Sequence, residues 1–194
     1  MSEDLSLKKA ERRAWTLYYE DGLWDIFLGL MFLGGGLRTL TDNLWFYLFI
    51  LAGPLVVVLG RMKMTLPRIG VIKFGTRRKQ RRRVLIVVIV IAVILTFLLM
   101  LIPALGIAAP GAAAGYVLAL TVPLVFVYMA YLLEFRRLYG YAVLVAATMI
   151  LTEVVGVRAG AWAQVITGTI ALLVGLWHLV HFLRSYPIPE KTVM

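Results

Sequence analysis

Six long apolar blocks follow one another along the chain, at roughly 22–40, 44–60, 84–106, 113–133, 138–157 and 161–183, separated by short polar segments. A helix needs about 20 mostly apolar residues to cross the hydrocarbon core of a bilayer. Each block therefore predicts a transmembrane helix, and the chain an all-α bundle of six. The third block, VLIVVIVIAVILTFLLMLI, carries no charge and reads as lipid-facing. The first holds Asp25 and the run Gly34, Gly35, Gly36. A carboxylate facing lipid is costly, so this helix is expected to pack against neighbours. Gly22, Gly29 and Gly36 recur at heptad spacing on one of its faces, which would let another helix, or a second copy of the chain, approach closely. Pro54 and Pro123 fall inside blocks, where a kink would free backbone carbonyls.

The polar segments divide the chain into an N-terminal piece (1–21), a transmembrane region (22–183) containing a basic loop (61–83), and a tail (184–194). Within residues 2–20, Leu7, Ala10, Ala14 and Leu17 recur at helical spacing among Lys8, Lys9, Arg12 and Arg13, predicting an amphipathic helix. It would lie on anionic lipid or extend the first span. The loop RMKMTLPRIGVIKFGTRRKQRRR alternates apolar and basic residues around Pro67, Gly70 and Gly75, predicting a short extended or hairpin element before the run RRKQRRR.

Composition agrees with a membrane protein. Of 194 residues, 62% are hydrophobic and 15% charged, against about 25% charged in a soluble domain. Charge sets the orientation. With the N-terminus in the cytoplasm, six spans return the C-terminus there, and eighteen of the twenty Lys and Arg residues lie inside, leaving only Arg38 and Arg158 outside. Tyr18, Tyr19, Trp24, Tyr131, Tyr139, Tyr141 and Tyr186 then fall near the inner boundary, and Trp45, Tyr47, Tyr116 and Trp162 near the outer one. No apolar segment precedes residue 22, so no cleaved signal peptide is expected, and the chain is placed in the cytoplasmic membrane. The net charge of +10 equals the charge of the 61–83 loop, which has ten basic residues and no acid.

Candidate chemistry is sparse. Asp21 and Asp25 stand i, i+4 on the first helix, and His178 and His181 stand i, i+3 near the end of the sixth. If those helices met, the four side chains could bind a divalent metal or relay protons; otherwise no cofactor is expected. Glu153, inside the fifth span, could pair with Arg38 or Arg158 on the outer side, where Asp42 also lies, or could serve as a cation or proton site. Arg68, Lys73, Arg77, Arg78, Lys79, Arg81, Arg82 and Arg83 form the basic surface expected to meet anionic headgroups or a partner, at about 1 kcal/mol per residue near the leaflet. Nucleic acid is not the expected ligand, because the run has no recognition fold. An offset of 120 pairs Tyr19 with Tyr139, Gly36 with Gly156, Arg38 with Arg158 and Pro67 with Pro187, a faint internal repeat.

Several chemistries are excluded. With no cysteine there is no thiol catalysis and no disulfide. Serine occurs only at positions 2, 6 and 185, which leaves no serine nucleophile inside a span. No H-E-x-x-H, P-loop or dinucleotide-binding glycine motif is present. Three function classes remain. The first is an ion or small-solute transporter or channel component, as a homo-oligomer, using Asp25 or Glu153. The second is a non-catalytic membrane component that binds anionic lipid or a partner through its basic loop. The third is an interfacial metal-dependent enzyme.

Overall fold

The computed structural model describes residues 19, 21–69, 80–81, 83–88, 90–91, 94 and 111–187. Nearly all of them are helical: α1 (Leu23–Thr41), α2 (Tyr47–Gly60), a π-helical turn (Arg61–Thr65), α3 (Leu66–Ile69), α4 (Gly111–Leu133), α5 (Arg137–Val154) and α6 (Val157–Ser185). Among the described residues, four stretches are long and apolar enough to cross a membrane: Leu23–Thr41, Leu44–Arg68, Arg137–Val154 and Val157–Ser185. These apolar helices fit an integral membrane protein. Much of the third expected span lies outside the described residues. Those described within it are helical and mostly exposed, as an uncharged lipid-facing helix requires.

The chain divides into two compact units, residues 1–74 with 168–194, and residues 75–167. In the first unit α1 is the central element. It is 44% buried over its apolar window, whereas the Leu44–Arg68 stretch is 6% buried. The reason is composition: α1 presents glycines on several faces, while α2 is dominated by bulky aliphatics suited to lipid. Against α2, a side chain at Gly34 would meet Phe46 and Phe49, one at Gly53 would meet Phe27, and one at Gly60 would meet Leu23. Against the C-terminal part of α6, a Cβ at Gly29 would lie 2.6 Å from the Leu172 side chain and 2.7 Å from its backbone nitrogen, and one at Gly168 2.6 Å from the Leu33 nitrogen. Gly175 and Ile26 approach equally closely. The helices cross antiparallel, backbone on backbone, in the manner small residues allow where dispersion must replace the hydrophobic effect.

In the second unit α4 and α5 form a tight hairpin. The chain leaves α4 through Glu134 in the left-handed conformation (φ 56°). The N–H of Phe135 donates to the Ala130 carbonyl at 3.1 Å, and that of Glu134 donates to Tyr131 at 3.4 Å. This 6→1 and 5→2 pairing is the Schellman stop, completed by burial of Phe135 and Ala130. Glycine usually occupies the left-handed position, and another residue there costs about 1–2 kcal/mol.

Four sequence expectations change. Residues 61–69 are helical, not extended or a hairpin. Pro67 would drive its ring into the carbonyl four residues back in an α-helix, and the wider π turn immediately before it relieves that crowding while the helix continues. The fifth span ends at Val154 because Gly156 (φ 117°) makes the turn, so Arg158 lies in the first turn of α6. The offset-120 repeat pairs Gly36, inside α1, with Gly156, in a turn, so the two segments do not share a backbone. Tyr19 and Tyr141, placed among the interfacial aromatics, are buried. The N-terminal amphipathic helix lies outside the described residues apart from Tyr19, which is helical.

Candidate functional site

The N-terminal end of α1 begins with an Asp-Gly turn. Gly22 adopts φ 85°, and a Cβ there would meet the Gly175 carbonyl oxygen as well as the Leu179 nitrogen at 2.7 Å. Both the backbone angle and the close approach of α6 require glycine. The turn leaves Asp21 folded back over the start of the helix. Its Oδ1 accepts a hydrogen bond from the Leu23 N–H at 3.1 Å, which satisfies the first free N–H of α1. Its Oδ2 accepts one from the Thr65 hydroxyl at 3.0 Å. Asp21 is 0% exposed and Thr65 1%. The π turn has a structural consequence here: its extra residue per turn rotates Thr65 onto the face that looks at α1.

Asp25 sits one turn beyond Asp21 on the same face and is also 0% exposed. Its Cβ lies 2.9 Å from where a side chain at Gly175 would start, so the absence of a side chain on α6 makes the room that Asp25 occupies. Aromatic side chains gather at the same end of α1. Tyr19 and Trp24 have ring centroids 6.4 Å apart, and Trp24 meets Phe27 edge-on at 5.6 Å. The Arg61 guanidinium, from the first position of the π turn, lies over both Tyr19 (5.5 Å) and Trp24 (5.7 Å). Such a stack holds a cation through the ring faces. The indole N–H of Trp24 is buried and makes no hydrogen bond among the described residues.

The first and sixth expected spans therefore meet, and His178 is brought beside Gly22, its Cβ 3.1 Å from where a side chain there would begin. His181 is exposed and lies flat against Trp177 at 5.8 Å. Among the described residues no three His, Asp or Glu side chains are grouped to hold a metal ion. Asp21, Asp25, His178 and His181 are thus not gathered into one ligand set: Asp21 is committed to Leu23 and Thr65, and His181 points to solvent or lipid.

The remaining candidates are dispersed. Glu153 and Arg158 are both exposed, and no ion pair joins them among the described residues. Arg38 lies over the Tyr47 ring at 5.7 Å, and Asp42 is exposed at the end of α1. Gly36 is buried in α1. Of the basic surface, Arg68 donates to the Met64 carbonyl at 2.8 Å, Arg83 is exposed, and Arg81 makes an ion pair with Glu134 at 2.6 Å. Lys73, Arg77, Arg78, Lys79 and Arg82 lie outside the described residues.

Sequence reasoning missed Thr65, Arg61, Trp24 and Tyr19 as parts of the site, and Glu134 as a partner of the basic segment. The signals were faint: a lone threonine ahead of Pro67, and one acid in the motif EFRR between two spans. No protein-family model, characterised protein or solved structure matches the chain.

Chemically, two wholly buried carboxylates stand one helical turn apart inside an apolar helix bundle, one of them bonded to the Thr65 hydroxyl, with His178 beside Gly22 and Arg61 stacked over Tyr19 and Trp24. Intramembrane carboxylates are expensive to maintain and mark proton or cation pathways. Such a cluster can exchange a proton or hold a small cation between helix backbones.

Proposed function

We propose that the chain is a six-span protein of the cytoplasmic membrane with both termini inside, acting as an ion or small-solute transporter or channel component in which Asp25 carries the proton or cation. One observation carries this reading: Asp25 is completely buried at a glycine-lined helix crossing, one helical turn from a second wholly buried carboxylate, Asp21. In this reading Asp21 fixes the start of α1 through Leu23 and Thr65, and Asp25, inside the helix and against α6, is the working group. Reconstituted protein should give a proton or monovalent-cation flux that Asp25→Asn abolishes and Glu153→Gln leaves in place. Loss of flux in Glu153→Gln alone would move the pathway to α5.

Topology is tested separately. Because the chain has no cysteine, single-cysteine variants need no background removal. Lys79→Cys should react with an impermeant maleimide only from the cytoplasmic face, and Ala112→Cys only from outside. The opposite pattern would reverse the orientation.

A second reading is that the acid-free segment binds anionic headgroups, independently of transport. It is favoured by Arg83, which is exposed and is followed by exposed Val84, Ile86, Val87, Val90, Ile91 and Ile94. A cationic collar on an apolar helix suits a charged leaflet above hydrocarbon.

A further inference from the structure

The Schellman stop at the end of α4 asks for glycine, and the chain places glutamate there. Glu134 stands in the left-handed conformation, held by Phe135 and Leu133, which are 2% exposed each. A non-glycine residue in that region points to a role that offsets the backbone cost. The carboxylate it presents receives Arg81 at 2.6 Å, and the two side chains are only about one-third exposed, 33% and 31%. Arg81 belongs to the run RRKQRRR. Glu134 thus supplies a carboxylate to a segment that has none of its own. Beside it, Arg137 lies over the Phe135 ring at 5.0 Å and Arg136 is exposed, so loss of Glu134 leaves Arg81, Arg136 and Arg137 as the charged side chains of this turn among the described residues.

We infer that Glu134 and Arg81 form a latch that competes with the phosphates of anionic lipid for the Arg81 guanidinium. The inference rests on the lipid-binding reading above and is independent of transport through Asp25. The latch holds Arg81 to the α4–α5 turn in a neutral bilayer. An anionic leaflet offers the same guanidinium a phosphate and releases Glu134. The pair suits this exchange because it is half-buried: it is ordered enough to form and accessible enough to be displaced. A part-exposed ion pair contributes little, so headgroups can win.

The test uses Gln80→Cys, an exposed position beside Arg81, in an otherwise cysteine-free chain. The protein is placed in nanodiscs of phosphatidylcholine alone or with phosphatidylglycerol, and maleimide labelling is timed. Glu134→Asn removes the charge while keeping a residue that accepts the left-handed backbone, so the fold is spared. In phosphatidylcholine, Glu134→Asn should speed labelling about two- to fivefold. The swap Arg81→Glu with Glu134→Arg should restore the parent rate. Phosphatidylglycerol should then slow labelling of Glu134→Asn more than that of the parent, and soluble inorganic phosphate should slow neither. An unchanged rate in Glu134→Asn, or no restoration by the swap, overturns the latch. Equal protection of parent and variant by phosphatidylglycerol overturns the competition and leaves lipid binding intact, whereas no protection of either removes both. Equal protection by soluble phosphate overturns the headgroup as the ligand.

Discussion

Gly175→Val should separate α1 from α6 and cost about 3 kcal/mol or more, or prevent assembly of the first unit altogether. A Cβ on Gly175 would sit 2.7 Å from the backbone nitrogen of Ile26 and 2.9 Å from the Cβ of Asp25. Neither can move aside, because the first belongs to a hydrogen-bonded helix and the second is fixed to it. Inserting even one methyl into a packed interface costs about 1–3 kcal/mol, and valine adds two further carbons at the tightest point. The substitution also occupies the room in which Asp25 sits. Gly140→Ala is the matched control. It stands on an exposed stretch of α5 where a side chain would meet nothing within 4 Å. There, alanine should stabilise by about 0.5–1 kcal/mol through helix propensity alone. Unfolding in detergent micelles, followed by circular dichroism, measures both. Equal behaviour of the two variants would mean that α1 and α6 do not pack through these glycines.

That crossing shows what could be read from the chain and what could not. A carboxylate in an apolar block must be sheltered, so burial of Asp25 follows from its composition, and the heptad glycines identify a face that can come close to another helix. Which helix supplies the other side is not encoded locally. Gly168 and Gly175 have the same spacing as Gly22 and Gly29, but periodicity alone does not distinguish a matched pair from two separate packing faces. The π turn was hidden for a different reason. Over RMKMTLPRI, alternating apolar and basic residues imitate a strand, and Pro67 favours that reading. The helix persists because one residue inserted ahead of the proline removes the clash. That insertion shifts Thr65 and Arg61 around the helix, so residues some forty positions from Asp21 become its neighbours. Glu153 illustrates the converse. Its place inside an apolar block called for a partner, yet it is exposed on α5, because a single carboxylate near a helix end can reach outward.

Asp21→Ala should be the most damaging single loss in the polar cluster, at about 3 kcal/mol, and the reason lies in what it leaves behind. The Leu23 N–H and the Thr65 hydroxyl both donate to this carboxylate. Hydrogen bonds to a charged acceptor contribute about 1.5–3 kcal/mol each, and a buried donor left without one incurs its full desolvation cost. The partners in the lipid-embedded unfolded state reduce these values, so the sum is smaller than two such bonds would give in water. Thr65→Val removes only the hydroxyl and keeps the shape, and should cost about 1 kcal/mol. Asp21→Asn keeps an acceptor for one donor and should fall between the two. The decisive quantity is the coupling. If the Asp21–Thr65 bond holds the π turn against α1, the double variant Asp21→Ala with Thr65→Val should be less damaged than the sum of the singles, because valine no longer strands a buried hydroxyl. Strict additivity would show that the two residues act separately. In that case the π turn would owe its place to Pro67 alone, and Arg61 should keep its stack on Tyr19 and Trp24 when Asp21 is gone, which the tryptophan fluorescence of Asp21→Ala would report.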